Sequence, residues 1–248
     1  MPEITDEDSA RAYFERQSVE VRCILTSRAA LRVLAIVSGI PDSRFFRVSL
    51  SNFRAILTSA GRGLGRPNDV DWLQAAARSA ADAATPAAAE SANAVDSTVS
   101  ALSAARSAAE SANLAVASVG ISDAYIARSA AYAALSKDAE NPSFAAPLWP
   151  VLPAPTEIRD NDRAFLTRIR SEGFEWFPDW YEAMWEGTFY DWDFALAVAK
   201  IDDAVWDAGL DAVNIAIREL QDQRLSDTLT QAEEVTLNDD GDFVVRGT

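Results

Sequence analysis

The chain has 248 residues, 49% of them apolar, and a formal charge of −16. That length and apolar content suffice for a substantial core, as one large domain or two small ones, while the charge opposes binding to a nucleic-acid backbone. There is no histidine, which removes the serine–histidine–acid triad, the cysteine–histidine pair and nearly all zinc, copper and haem sites.

The start Met1-Pro2-Glu3 turns acidic at Asp6-Glu7-Asp8, with neither the basic beginning nor the apolar run of a secretory signal, so the expected location is the cytoplasm. Thr5, Glu7 and Asp8 open a short helix through Tyr13 and Phe14 that ends near Gln17. Ser18 caps a longer one, in which Val21, Ile24, Leu25, Leu31, Leu34 and Ile36 form a broad apolar face until Gly39 and Pro41. Most of its arginines are expected on the solvent side, and Glu20, Arg22, Arg28 and Arg32 interrupt the run too often for a membrane span. The lone cysteine, Cys23, lies in this stretch and reads as an inert core residue.

Ser49 or Ser51 opens the next helix, through Phe53, Ile56 and Leu57, which fails at the glycine-rich run 61–67. No strand precedes that run and no Lys-Ser/Thr follows it, so a connecting loop is favoured over an anion cradle. From Val70 to Leu135 alanine and serine dominate, with irregular echoes such as Ala77-Arg78-Ser79 and Ala105-Arg106-Ser107. Pro86 and Gly120 divide the stretch into helices near 69–84, 87–118 and 123–137, either a small-residue bundle seam or an extended stalk.

The segment 141–155 holds five of the ten prolines and reads as an extended crossing, anchored by Pro147-Leu148-Trp149-Pro150. After it come a helix through Phe165, Leu166 and Ile169, an aromatic stretch from Phe174 to Phe194, and a last helix along Val213, Ile217 and Leu220 ending near Arg224. Glu234 to Leu237 and Asp242 to Arg246 alternate around an Asp-Gly turn, which predicts a terminal hairpin. The expected architecture is all-α: a multi-helix bundle with alanine-rich central helices and a small C-terminal β-hairpin. Its expected divisions are a helical domain at 1–140, a tryptophan-rich helical region at 141–225 and a tail at 226–248.

Catalytic motifs are absent, and no cofactor motif is found. Glu175, Asp179, Glu182 and Glu186 recur at offsets that share one helix face, which keeps a divalent-metal site open as an alternative to an ordinary wet face. Asp202 or Asp203 reads as a helix cap rather than a ligand. The most distinctive feature is the density of aromatics, from which Trp176, Trp180, Tyr181, Trp185, Trp192 and Trp206 are the candidates for binding a partner or ligand. Core packing with a partly exposed rim is the alternative for the same residues. The uneven charge, ten arginines against seven acids in 1–66 and eight basic residues against 22 acids in 141–248, would also suit docking on a second copy.

The runs Asp179-Trp180-Tyr181-Glu182-Ala183-Met184-Trp185-Glu186-Gly187 and Ile201-Asp202-Asp203-Ala204-Val205-Trp206-Asp207-Ala208-Gly209, with Val213-Asn214, Ile217, Pro147-Leu148-Trp149-Pro150 and Ser27-Arg28-Ala29-Ala30-Leu31-Arg32-Val33-Leu34, resemble a family of uncharacterised, mostly alphaproteobacterial proteins. The resemblance covers most of residues 10–224 and brings no established activity. Relatives of this kind continue beyond the shared part into other segments, which implies a recognition module joined to different outputs. The function expected is a non-enzymatic interaction or adaptor module in a bacterial regulatory or defence setting, its partner another protein or itself. The alternatives are a carboxylate- and metal-dependent enzyme and a small-molecule sensor with a pocket between the alanine-rich and aromatic regions.

Overall fold

The computed structural model describes residues 4, 7–35, 38, 42–64, 133–149, 154, 156–230, 234–237 and 243–246. The helices expected at 69–84 and 87–118, most of that at 123–137, and the hairpin turn at 238–242 lie outside the described residues. The described part is predominantly helical: α1 (Glu7–Phe14), α2 (Val19–Leu34), α3 (Asp42–Gly63), α4 (Thr156–Ser171), α5 (Phe177–Glu186), α6 (Trp192–Ala199), α7 (Asp203–Ala208) and α8 (Leu210–Thr230). Residues 133–140 are also helical. Two short strands, β1 (Glu234–Leu237) and β2 (Phe243–Arg246), pair antiparallel with Val235 opposite Val245.

Helix α3 departs from expectation at both ends. It starts at Asp42 rather than near Ser49, because Phe45 belongs to the same buried face as Phe53, Ile56 and Ala60. It also runs through Gly61 to Gly63. There the missing side chain serves packing: a Cβ on Gly63 would lie 2.9 Å from Ile24 Cγ1, so glycine lets α3 close on α2. Helix α8 likewise continues past Arg224 to Thr230. The extension is mostly polar, carries a Gln223–Asp227 side-chain hydrogen bond of 2.9 Å, and leaves Leu225 60% exposed.

The aromatic stretch is two helices separated by a sharp stop. Gly187 ends α5 in the left-handed conformation (φ 72°), its N–H returned to Ala183 O and Met184 O. Asp191 then caps α6, its side chain accepting from Phe194 N at 3.2 Å. Asp202 caps α7 in the same way, accepting from Ala204 N at 2.8 Å, whereas Asp203 is turned to Arg54.

One buried cluster draws on both sides of residue 141. Leu31 and Leu34 of α2, Phe45, Phe53 and Leu57 of α3, Phe165 of α4, Trp180 and Tyr181 of α5, and Ile217 of α8 all belong to it. A smaller cluster joins Ile4, Leu25, Leu135 and Ala139, with the Ile4 N–H donating to Ser136 Oγ at 2.8 Å. Among the described residues no helix is long and apolar enough to cross a membrane.

Candidate functional site

The aromatic candidates divide by depth. Trp180 (1% exposed), Tyr181 (0%) and Trp206 (7%) are core residues, not surface, so a partner cannot meet them without opening the fold. They are held by ring contacts across helices: Phe53 stacks on Phe177 at 4.5 Å and meets Trp180 edge-on at 5.8 Å, and Phe165 meets Tyr181 at 5.3 Å. Trp176, Trp185 and Trp192 are half-buried and form a rim. Trp176 stacks on Trp180 at 5.7 Å, Trp185 packs on Trp149 at 6.2 Å, and Trp192 contacts Phe144 at 4.6 Å and Phe189 at 5.0 Å. Between them the α5–α6 link turns Tyr190 outward, 88% exposed. Its position beside the Gly187 stop was the signal for it.

The four acids expected as a possible metal-binding face are not gathered into a site. Glu175 precedes α5 and lies 3.5 Å from Arg218 Nε, while Asp179 and Glu182 share Arg170 at 3.7 and 2.8 Å. Glu186 is exposed at the end of α5. Among the described residues no group of three or more acids or thiols is placed to hold a metal ion.

Sequence reasoning missed the buried arginines. Arg28 and Arg32 of α2 and Arg54 of α3 are 0%, 2% and 2% exposed, against the expectation that most of the α2 arginines face solvent. Their forks find acceptors that a hydropathy pattern does not reveal. Both α2 guanidinium groups bond Asp138, Arg28 Nη2 to Oδ1 at 3.0 Å and Arg32 Nη2 to Oδ2 at 2.5 Å. The remaining donors reach the crossing segment, with Arg28 on Ala146 O (2.7 Å) and Pro147 O (2.6 Å) and Arg32 Nε on Leu148 O (2.7 Å). A proline-rich segment of turns and bends has no ladder partner for its carbonyls, and here arginines supply the donors. The same segment is tied to α5 by Leu148 N–H donating to Trp185 O at 3.1 Å.

Arginines also cover rings: Arg32 lies 5.7 Å from the Trp149 centroid, Arg54 5.4 Å from Trp206, and Arg168 3.8 Å from Phe45. Burial lowers the Arg32 pKa to about 10, Asp138 opposing the fall and Arg28 adding to it.

A second buried polar pair links α4 and α5. Asp162 is 9% exposed and its Oδ1 has no hydrogen-bond partner. Burial raises its pKa to about 6, a hydrogen bond with Tyr181 opposing the rise and Glu182 adding to it. Burial, with Asp162 beside it, pushes the Tyr181 hydroxyl well above its ordinary value; that hydroxyl also lies 3.4 Å from Leu31 O. One phenolic proton cannot serve both acceptors, so the pair is only partly satisfied. Comparison with protein-family models, curated proteins and solved structures finds no match to the chain.

Proposed function

We propose that the chain is a non-enzymatic protein-interaction module, an adaptor in a bacterial regulatory or defence system, which meets another protein or a second copy of itself through the rim formed by Trp185, Phe189, Tyr190 and Trp192. The observation that carries the reading is Tyr190, a large ring 88% exposed on a short link between two helices whose other aromatics are packed inward. A ring held on a rigid base loses little freedom on binding, and aromatic anchors of this type supply much of the energy of protein interfaces. The half-buried Phe189 and Trp192 beside it offer further apolar area at no folding cost.

Support for a non-enzymatic role comes from Glu175, Asp179 and Glu182, which are engaged by Arg218 and Arg170, and from Lys137, which pairs with Glu140 at 3.0 Å. The finer expectations belong to the same proposal: a cytoplasmic location, alanine-rich helices completing the bundle, a C-terminal hairpin, and kinship with the alphaproteobacterial family. Purification of the tagged full chain from its host, followed by native mass spectrometry, tests it. A discrete heteromeric or homo-oligomeric mass that is lost in Tyr190→Ser is expected. A bare monomer, or a complex indifferent to Tyr190→Ser, would overturn the rim as the docking surface.

A further inference from the structure

Arginines of this chain are repeatedly held by an aromatic ring and an acid together. Arg32 lies 5.7 Å from the Trp149 centroid and bonds Asp138, and Arg54 lies 5.4 Å from Trp206 and pairs with Asp203. Arg224 lies 5.9 Å from Phe194, with its Nη1 2.6 Å from Asp191 Oδ2. In each case the negative face of the ring attracts the cation and the carboxylate accepts its hydrogens.

The link between α5 and α6 carries the same two parts at the surface. Tyr190 is 88% exposed, and among the described residues no guanidinium lies over its ring. Glu186, the last residue of α5, and Asp193, in the first turn of α6, stand on either side of the link, both exposed. Glu186 makes no ion pair among the described residues. Arg224 reaches this face from α8 and is committed to Asp191, whose hydrogen bond raises its pKa; Asp193 and Tyr190 are close enough to add to the rise. A guanidinium at this face therefore feels both acids and the phenol.

The wider surface has the same sign, with thirteen acids against three basic residues in 174–227. A second copy has no basic excess in segment 1–66 with which to answer it. Arg28, Arg32 and Arg54 are inside, and the seven arginines that remain only balance seven acids. Two acidic faces repel, whereas a basic one is drawn in.

We propose that the rim receives a basic segment of a different protein, an arginine of that segment seating on the Tyr190 ring while Glu186 and Asp193 supply the opposing charge. The half-buried Phe189 and Trp192 offer apolar surface to the aliphatic stem of such a side chain. This inference rests on the rim-docking reading and narrows its partner to one chemistry.

The test has two arms. In the first, the uniformly nitrogen-15-labelled full chain is titrated with a synthetic peptide of alternating arginine and glycine, and separately with one of alternating glutamate and glycine. The arginine peptide is expected to shift the backbone N–H resonances of residues 188–193 saturably, and the glutamate peptide to leave them unmoved. The arginine peptide should bind at least about fivefold more weakly to Tyr190→Ser and to the double variant Glu186→Gln with Asp193→Asn. Shifts spread over the acidic surface with none at 188–193, or an affinity unchanged in either variant, overturn the proposal. The wild-type titrations stand as a test even if a variant fails to fold.

The second arm follows the native mass of the complex formed in the host. A heteromeric complex lost in both variants and displaced by the arginine peptide is expected. A complex lost in Tyr190→Ser but kept in the double variant, or one made of two copies of this chain, overturns the basic partner and leaves rim docking intact. A complex indifferent to Tyr190→Ser overturns both.

Discussion

Gly187 approaches Pro147 so closely that a Cβ placed on it would lie 2.4 Å from the proline nitrogen. With φ at 72°, the position disfavours other residues on conformational grounds as well. This contact seats the crossing segment against the C-terminus of α5, the same segment that Arg28 and Arg32 grip from α2. Gly187→Ala is therefore expected to cost about 2–4 kcal/mol, combining left-handed strain with a backbone clash. Urea unfolding at neutral pH measures it, and a loss within about 0.5 kcal/mol would show that segment 146–147 shifts freely.

Asp138 is the only carboxylate that holds both buried α2 arginines among the described residues. Asp138→Asn keeps the shape but leaves two guanidinium groups without their counter-charge. It should destabilise the fold by about 3–5 kcal/mol, as expected when one partner of a buried ion pair is removed. The double change Arg32→Met with Asp138→Asn should lose less than the sum of the single changes. Additive losses in that cycle would mean the pair is not coupled.

Asp162 makes stability depend on pH in a predictable direction. Its folded-state pKa is raised from 3.8 to about 6, so the folded state holds the proton more tightly than the unfolded chain. The resulting stabilisation is complete below about pH 4 and is lost as pH rises through about 6. Asp162→Asn, neutral at every pH, should be more stable than wild type at about pH 7.5, with the advantage shrinking between about pH 6 and 4.5. Urea midpoints of both proteins across that range check it; a constant difference would place the carboxyl in ordinary solvent.

Depth separates the aromatic variants. Trp180→Ala should cost about 3–5 kcal/mol, since it empties a fully buried site beside Phe53. Tyr190→Ser should change stability by less than about 0.5 kcal/mol while removing association. Thermal unfolding of the two variants together with their native masses separates the effects: loss of association only in Trp180→Ala would move the docking surface away from the rim.

Much of the local architecture was legible from residue pattern alone. The apolar faces of α2 and α8, the Asp202 cap and the interruption of helix around Pro147 follow from periodicity and backbone chemistry, which act over a few residues. Errors arose where a residue's meaning depends on a distant partner. Gly63 reads as a breaker until Ile24 is placed against it, and Phe45 joins α3 because Phe165 and Phe174 pack on it from afar.

The sequence by itself determined a predominantly helical chain, a dense aromatic region, and the absence of imidazole chemistry, because composition and short-range spacing specify these directly. Only the tertiary structure decided that Trp180, Tyr181 and Trp206 are core while Tyr190 is surface, and that Arg28, Arg32 and Arg54 lie inside. An arginine on a helix shows its charge in the sequence, but not the carboxylate and the carbonyls, more than a hundred residues away, that make its burial possible. Those acceptors meet the guanidinium groups only after the crossing segment has been laid across α2.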